Sequence, residues 1–337
     1  MTFLGPARIH LGTALSDHKS STQTSRLRRF FFWIILLTLL AAPVILAEGY
    51  LRSIGVGTPM LFYAESSYRY APRPNQKQVG PHGAAITLDS KGLRGVKEWT
   101  APADAKILFI GASATWGGNY IDDKDLFSNV VCTRLEKAIH RNLTCGNAGV
   151  NAYGVDNMAE RIRYKDYADE SAIVVTLGSF NAVRGRTDLD SLPYFTEPPP
   201  GPLKGLWEAA TYSAWRLLQI LRVLKFDRAD DLRVAEHSLD NLFAALRETD
   251  RPGRKVLIVL LPMREHLNGK ENDLTKRVRA VLKDSNYDFL DLHQPISAVQ
   301  DLDAFYYPIG SHLALAGHQF VGGLIAGKLE SFFTKQP

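Results

Sequence analysis

A serine hydroxyl becomes a useful nucleophile when a base can take its proton and donors can hold the negative charge that its attack creates. The sequence offers residues for each of these tasks at separate places. Ser113 follows Lys106-Ile-Leu-Phe-Ile-Gly-Ala112, an apolar run that stops at a glycine. Such a run reads as a buried strand, so Ser113 falls just past a strand end, with Gly111 letting the backbone turn. His312 stands ahead of the last helical segment and is the candidate base. Two stretches could supply oxyanion donors: the Gly-rich Asn147-Ala-Gly-Val-Asn-Ala-Tyr-Gly154 through backbone N–H groups, and Gly178-Ser-Phe-Asn181 through a side-chain amide. Arg184 and Arg186 follow closely and could contact an acidic substrate. His318 lies six residues past His312, on another helical face, where a structural or capping role is expected. The remaining histidines, among them His82, His140, His237, His266 and His293, have no spacing that would build a metal site, so neither metal nor other cofactor is expected.

The elements that must position these residues alternate. Strands are expected at Ile107 to Ile110, ending near Asn147, at Ala172 to Leu177, at Val256 to Leu261 and at Tyr287 to Asp291. Helical patterns lie between them at Leu126 to His140, Val155 to Tyr167, Ala235 to Arg247 and Leu274 to Leu282, and Gly317 to Phe333 closes the chain. This alternation predicts a doubly wound parallel α/β sheet spanning 105–337. A longer segment, 183–234, interrupts it: Pro198-Pro-Pro-Gly-Pro202 is followed by an apolar helical pattern from Leu206 to Leu224, suited to roofing the site, lying on a membrane or packing in the core. Cys132 and Cys145 are the only cysteines, and either a disulfide or two buried thiols fits their positions.

Ahead of the sheet, residues 1–29 read as a polar, disordered leader, and Phe30 to Ala47 is an uncharged apolar stretch long enough to span a bilayer. Arg8, Lys19, Arg26, Arg28 and Arg29 precede it, so the positive-inside rule predicts a cytoplasmic N-terminus and an exported domain. Much of the net charge of +5 sits in this leader, which argues for a membrane and against nucleic acid. Residues 48–104 form a lead-in rich in Pro, Gly and Tyr, with Ala85-Ile-Thr-Leu-Asp89 alternating like an edge strand.

The four blocks around Ser113, Asn147 to Gly154, Asn181 and His312, in this order, resemble the SGNH or GDSL-type hydrolases, over about residues 85 to 333. The lead-in Ile86-Thr-Leu-Asp-Ser-Lys-Gly-Leu-Arg94 is similar to the preamble of membrane-anchored members. The resemblance implies a flavodoxin-like three-layer α/β/α fold, with Ser113 as nucleophile, His312 as base, and the N–H groups of Ser113 and Ala152 with the Asn181 amide as oxyanion donors. Gly154 then lies beside the substrate. Four positions depart from the family pattern: Ala112 and Ala182 replace aspartates, Ala152 replaces a glycine, and Ile309 stands where the carboxylate that orients the histidine is usual. Asp301 and Asp303 are the nearby carboxylates that could orient His312 instead. The implied activity is a membrane-anchored, extracytoplasmic serine esterase that removes an O-acyl group, such as acetyl, from an envelope glycan or lipid. An O-acyltransferase using the same Ser-His site, and a silent glycan-binding or assembly component, are the alternatives.

Overall fold

The computed structural model describes residues 18–53, 59–80, 83–164, 167, 169–192, 194–199, 201, 203–205, 207, 228–267, 269–307 and 312–334. The chain divides into two compact units, Met1–Val56 and Gly57–Pro337.

In the first unit, α1 (His18–Ser53) is a single helix with Pro43 inside it. Its stretch Arg26–Leu51 is long and apolar enough to cross a membrane, and none of its most apolar part is buried by protein. At 1.5 Å per residue these 26 residues extend about 39 Å, more than the roughly 30 Å hydrocarbon core requires.

The second unit is built on five parallel strands: β5 (Ala105–Gly111), β6 (Leu143–Asn147), β7 (Ala172–Leu177), β8 (Lys255–Leu260) and β9 (Asp288–Asp291). Their spatial order is β6-β5-β7-β8-β9. Numbered within the sheet this is 2-1-3-4-5, the flavodoxin-like doubly wound arrangement, whose winding reverses at the first strand. In open sheets of this order the connections leave that strand in opposite directions, and ligands bind beyond its carboxyl end. The chemistry-bearing residues follow these carboxyl ends.

Strand residues alternate between two cores. Leu108, Ile110, Ile173, Val175, Ile258 and Leu260 face one side, packed by α4 (Val155–Arg163), α6 (Arg228–Glu248) and α7 (Asp273–Lys283). Ile107, Phe109, Val174, Leu257 and Val259 face the other, covered by α3 (Phe127–Ile139) and α10 (Leu315–Thr334). Both faces are apolar because both are covered, which is why the strands read as continuous apolar runs. Each fully buried branched side chain contributes about 1.5–3 kcal/mol. Three short helices complete the carboxyl edge: α2 (Ser113–Trp116), α5 (Ser179–Val183) and, near the end of the chain, α9 (Leu302–Phe305); α8 (His293–Ser297) follows β9.

From Gly57 onward the lead-in belongs to the same compact unit as the sheet, whereas residues 48–56 belong to the first unit. Hairpin β1 (Phe62–Glu65) with β2 (Arg69–Pro72), and hairpin β3 (Lys77–Val79) with β4 (Ala85–Thr87), are antiparallel. They bury Tyr70 and Ile86 in the first core, and the segment after β4 adds Leu88, Leu93 and Trp99. The expected edge strand at Ala85 is thus β4. Cys132 in α3 and Cys145 in β6 are joined in a disulfide, with Cα atoms 5.9 Å apart, which settles the choice left open by spacing. The apolar helix expected over Leu206 to Leu224 lies outside the described residues, apart from Trp207.

Candidate active site

Ser113 opens α2 directly after the last residues of β5, at the point where the winding of the sheet reverses. It is half-buried, whereas Thr115 and Trp116 of the same turn are buried. Gly111 serves space rather than a special dihedral, contrary to the sequence-based expectation. It ends the strand without a positive φ, but a Cβ there would fall 1.9 Å from Thr115 Oγ1 and 2.7 Å from the Thr176 carbonyl oxygen. The Thr115 and Thr176 hydroxyls hydrogen-bond across that gap, tying α2 to β7.

The turn after β6 lies against α2. Ala148 N–H donates to the Phe109 carbonyl at 2.8 Å and Val150 N–H to the Gly111 carbonyl at 3.1 Å. Asn147 donates through Nδ2 to the Thr115 carbonyl at 2.6 Å and accepts the Gly149 N–H at 2.9 Å. A Cβ on Gly149 would stand 2.6 Å from the Trp116 nitrogen, so this approach requires glycine. Ala152 has φ +65, the left-handed conformation that glycine adopts without strain.

Asn181 binds the next loop to this one. Its Oδ1 accepts the Gly178 N–H at 2.8 Å, and its Nδ2 donates to the Tyr153 carbonyl at 3.2 Å. An amide carries two N–H bonds, so the second can serve as a donor. The tie to Tyr153 holds the Asn181 amide one residue from Ala152. Arg184 stacks on the Phe180 ring, its guanidinium carbon 4.6 Å from the ring centroid, on the flank of Asn181. Gly154 begins α4 and is buried; a Cβ there would meet the Gly185 carbonyl oxygen at 1.9 Å, so close backbone packing accounts for it.

His312 is half-buried and sits on a chain reversal. Its carbonyl accepts the Tyr307 N–H at 2.8 Å, and Tyr306 and Leu313 form an antiparallel bridge beside it. Tyr306 is fastened through its hydroxyl to the Pro262 carbonyl at 3.1 Å, in the loop after β8. The Tyr307 ring stacks on Tyr120, with centroids 3.7 Å apart. Tyr120 lies on the loop that follows α2, so the stack joins the histidine loop to the serine loop. Ile309 lies outside the described residues. Of the two carboxylates expected to orient His312, Asp301 stands at the start of α9 and Asp303 within it. Asp301 Oδ1 accepts the Ala304 N–H at 2.9 Å as the cap of α9, and the exposed Asp303 pairs with Arg264.

His318 behaves as a structural residue. It is buried, accepts the Phe127 N–H on Nδ1 at 3.1 Å and stacks on the Phe127 ring. Burial above all, with the positive charge of Arg94 and the nearby His312, lowers its pKa from the ordinary 6.5 to about 3. It is therefore neutral, with its proton on Nε2. Among the described residues no group of histidines, cysteines and carboxylates could hold a metal ion.

Arg94 was not legible as a site residue. It closes the family-like preamble, where one arginine after a turn reads as surface. In the fold it is completely buried, beside a buried partner, Asp123, that no motif marks.

Comparison with solved structures finds distant likenesses. A lipase/acylhydrolase from Enterococcus faecalis shares 16% identity over 67% of this chain and 96% of that one, with a TM-score of 0.43. A lipase from a goat rumen metagenome shares 8% over 68% and 98%, at 0.47. The psychrotrophic esterase EstA from Pseudoalteromonas shares 9% over 69% and 100%, at 0.41. No family model and no curated protein matches the sequence.

Proposed function

We propose that this chain is a membrane-anchored serine ester hydrolase with Ser113 as nucleophile, His312 as general base and acid, and the N–H groups of Ser113 and Ala152 with the Asn181 amide as the oxyanion site. The observation that carries this reading is the convergence at one sheet edge: a half-buried serine at the switch point, a left-handed Ala152, and an Asn181 amide tied to the adjacent Tyr153. Ligands of open α/β sheets bind at that place.

In the proposed reaction His312 takes the Ser113 Oγ proton as Oγ attacks the acyl carbonyl. The oxygen that gains charge is met by the three donors. The carbon–oxygen bond to the alcohol then breaks, and the alcohol leaves with the proton from His312. Water, deprotonated by His312, attacks the acyl-serine ester; the bond from the acyl carbon to Ser113 Oγ breaks, His312 returns the proton to Oγ, and the carboxylic acid leaves. Electrostatic stabilisation of this kind is worth about 2.7–4 kcal/mol per donor where single donors have been removed.

The substrate is taken to be an O-acylated glycan or lipid of the cell envelope, and the catalytic unit to lie outside the cytoplasm. Three features support that side: an apolar helix of spanning length, Arg26, Arg28 and Arg29 at its amino end, and a disulfide in the second unit, since disulfides persist in oxidising compartments. Full-length protein in detergent should turn over p-nitrophenyl acetate, and Ser113→Ala and His312→Ala should each lose about 10³-fold or more in kcat. Equal rates for wild type and Ser113→Ala would remove the enzyme reading.

A further inference from the structure

We propose that Arg94, from the lead-in outside the parallel sheet, is a positioning residue for Ser113; this inference rests on the reading of Ser113 as nucleophile. The segment behind α2 has little rigidity of its own. Gly117 and Gly118 both have positive φ, 86° and 68°, and glycine in such a turn has wide conformational freedom. Arg94 supplies what the turn lacks. Its Nη1 donates to the carbonyls of Trp116 at 2.7 Å and Gly118 at 2.6 Å, and its Nη2 donates to that of Ile121 at 2.5 Å. Its Nε donates to Asp123 Oδ1 at 2.8 Å. Four of its five N–H bonds are thus spent within an eight-residue segment, 116–123, that begins at the last residue of α2. The guanidinium also lies over the Trp116 indole, 5.0 Å from the centroid.

The anchor itself is fixed on both sides. Arg94 N–H donates to the Asn147 carbonyl at 2.9 Å and the Asn147 N–H returns the bond at 3.1 Å, while the Asn147 side chain holds the Thr115 carbonyl. Asp123 accepts the Thr87 N–H at 2.6 Å, and its own carbonyl accepts Asn129 Nδ2 at 2.6 Å. The last carbonyls of the serine turn, Thr115 and Trp116, are therefore both held by partners that meet at one backbone bridge. A planar fork that satisfies three carbonyls and a carboxylate at once is a task for arginine, which lysine performs poorly. The buried pair is costly to assemble and costly to break singly, so rigidity of the turn is the return on it. Tyr120 lies within the held segment and stacks on Tyr307, so the same latch sets the serine loop against the histidine loop.

The test uses full-length protein in detergent, a fluorophosphonate that labels an activated serine, and p-nitrophenyl acetate kinetics across pH. Arg94→Lys should slow labelling of Ser113 and lower kcat by about 10²-fold, the scale of a misplacement of about 1 Å. KM should stay within about twofold and the acid limb of the pH profile should keep its midpoint, because lysine keeps the positive charge at this place and the substitution replaces no group that binds substrate or takes the proton. Asp123→Asn, which keeps the shape of the pair, should show about a tenfold loss and decides the matter if Arg94→Lys does not fold. Folded variants that label at the wild-type rate, with wild type labelled at Ser113, overturn the role of Arg94 alone. Wild type that is not labelled at Ser113 overturns the nucleophile reading and this inference with it.

Discussion

Replacing His318 by glutamine and following both proteins from about pH 8 to pH 5 tests how the start of α3 is held behind the serine loop. The imidazole is buried, stacks on Phe127 and accepts its N–H, so the neutral form is built into the fold. The groups that face it are Arg94 and His312, both of which disfavour a second positive charge, and the Gly117 backbone. Its pKa of about 3 in the fold lies below the ordinary 6.5, so the unfolded chain binds the extra proton first. Stability from this residue is therefore complete above pH 6.5 and is lost as the pH falls from there toward 3. At pH 5 the unfolded state is favoured by RT ln(1 + 10^1.5), about 2 kcal/mol, with a negligible correction from the folded side. Glutamine keeps a carbonyl that can accept the Phe127 N–H but does not titrate, so the variant should be less stable at pH 8 and should lack this part of the acid loss. Thermal denaturation of the two proteins at both pH values measures it, because contributions from other titrating groups cancel in the difference. Wild type should lose about 4 °C more than the variant between pH 8 and pH 5. Parallel curves would refute the assignment of a buried neutral imidazole to this position.

Three further outcomes follow from the same geometry. Gly149→Ala should cost at least about 3 kcal/mol in chemical denaturation, since its Cβ would meet the Trp116 nitrogen and the Thr115 Cβ, which cannot give way without moving α2. Ala152→Gly should raise the melting temperature slightly, because relief of about 1 kcal/mol of left-handed strain exceeds the added unfolded-state entropy; a fall would show that the strain is absent. The Cys132→Ser, Cys145→Ser double variant should lose about 3 kcal/mol, the entropy of closing a loop of this length, read as a lower urea midpoint.

Strand and helix placement were largely legible in the sequence because buried parallel strands carry an unmistakable apolar signature. The stretch from Ala172 to Leu177 was expected with its observed bounds, and β5 extends the expected Ile107 to Ile110 by two residues at its start and one at its end. The carboxyl-edge positions of Ser113 and Asn181 followed from those strands. What escaped notice were contacts that join segments far apart in sequence. Arg94 and Asp123 bear charges that composition assigns to solvent, and only the fold encloses them together. Tyr120 and Tyr307 belong to loops without periodicity, and their stacking depends on how the chain reverses at His312. The expectation that Asp301 or Asp303 orients His312 followed sequence proximity; in the fold Asp301 also caps a helix and Asp303 also pairs with Arg264.

The place of Arg94 also bears on how the protein can be cut down for study. A fragment designed to begin at Ala105, where the repeating strand and helix pattern starts, would keep every residue of the large sheet yet lose the guanidinium that holds the serine turn. It would also strip Trp99, Leu93, Leu88 and Ile86 from the first core. A piece that keeps this core whole has to include Met60, and so is longer than the piece that looks like a domain.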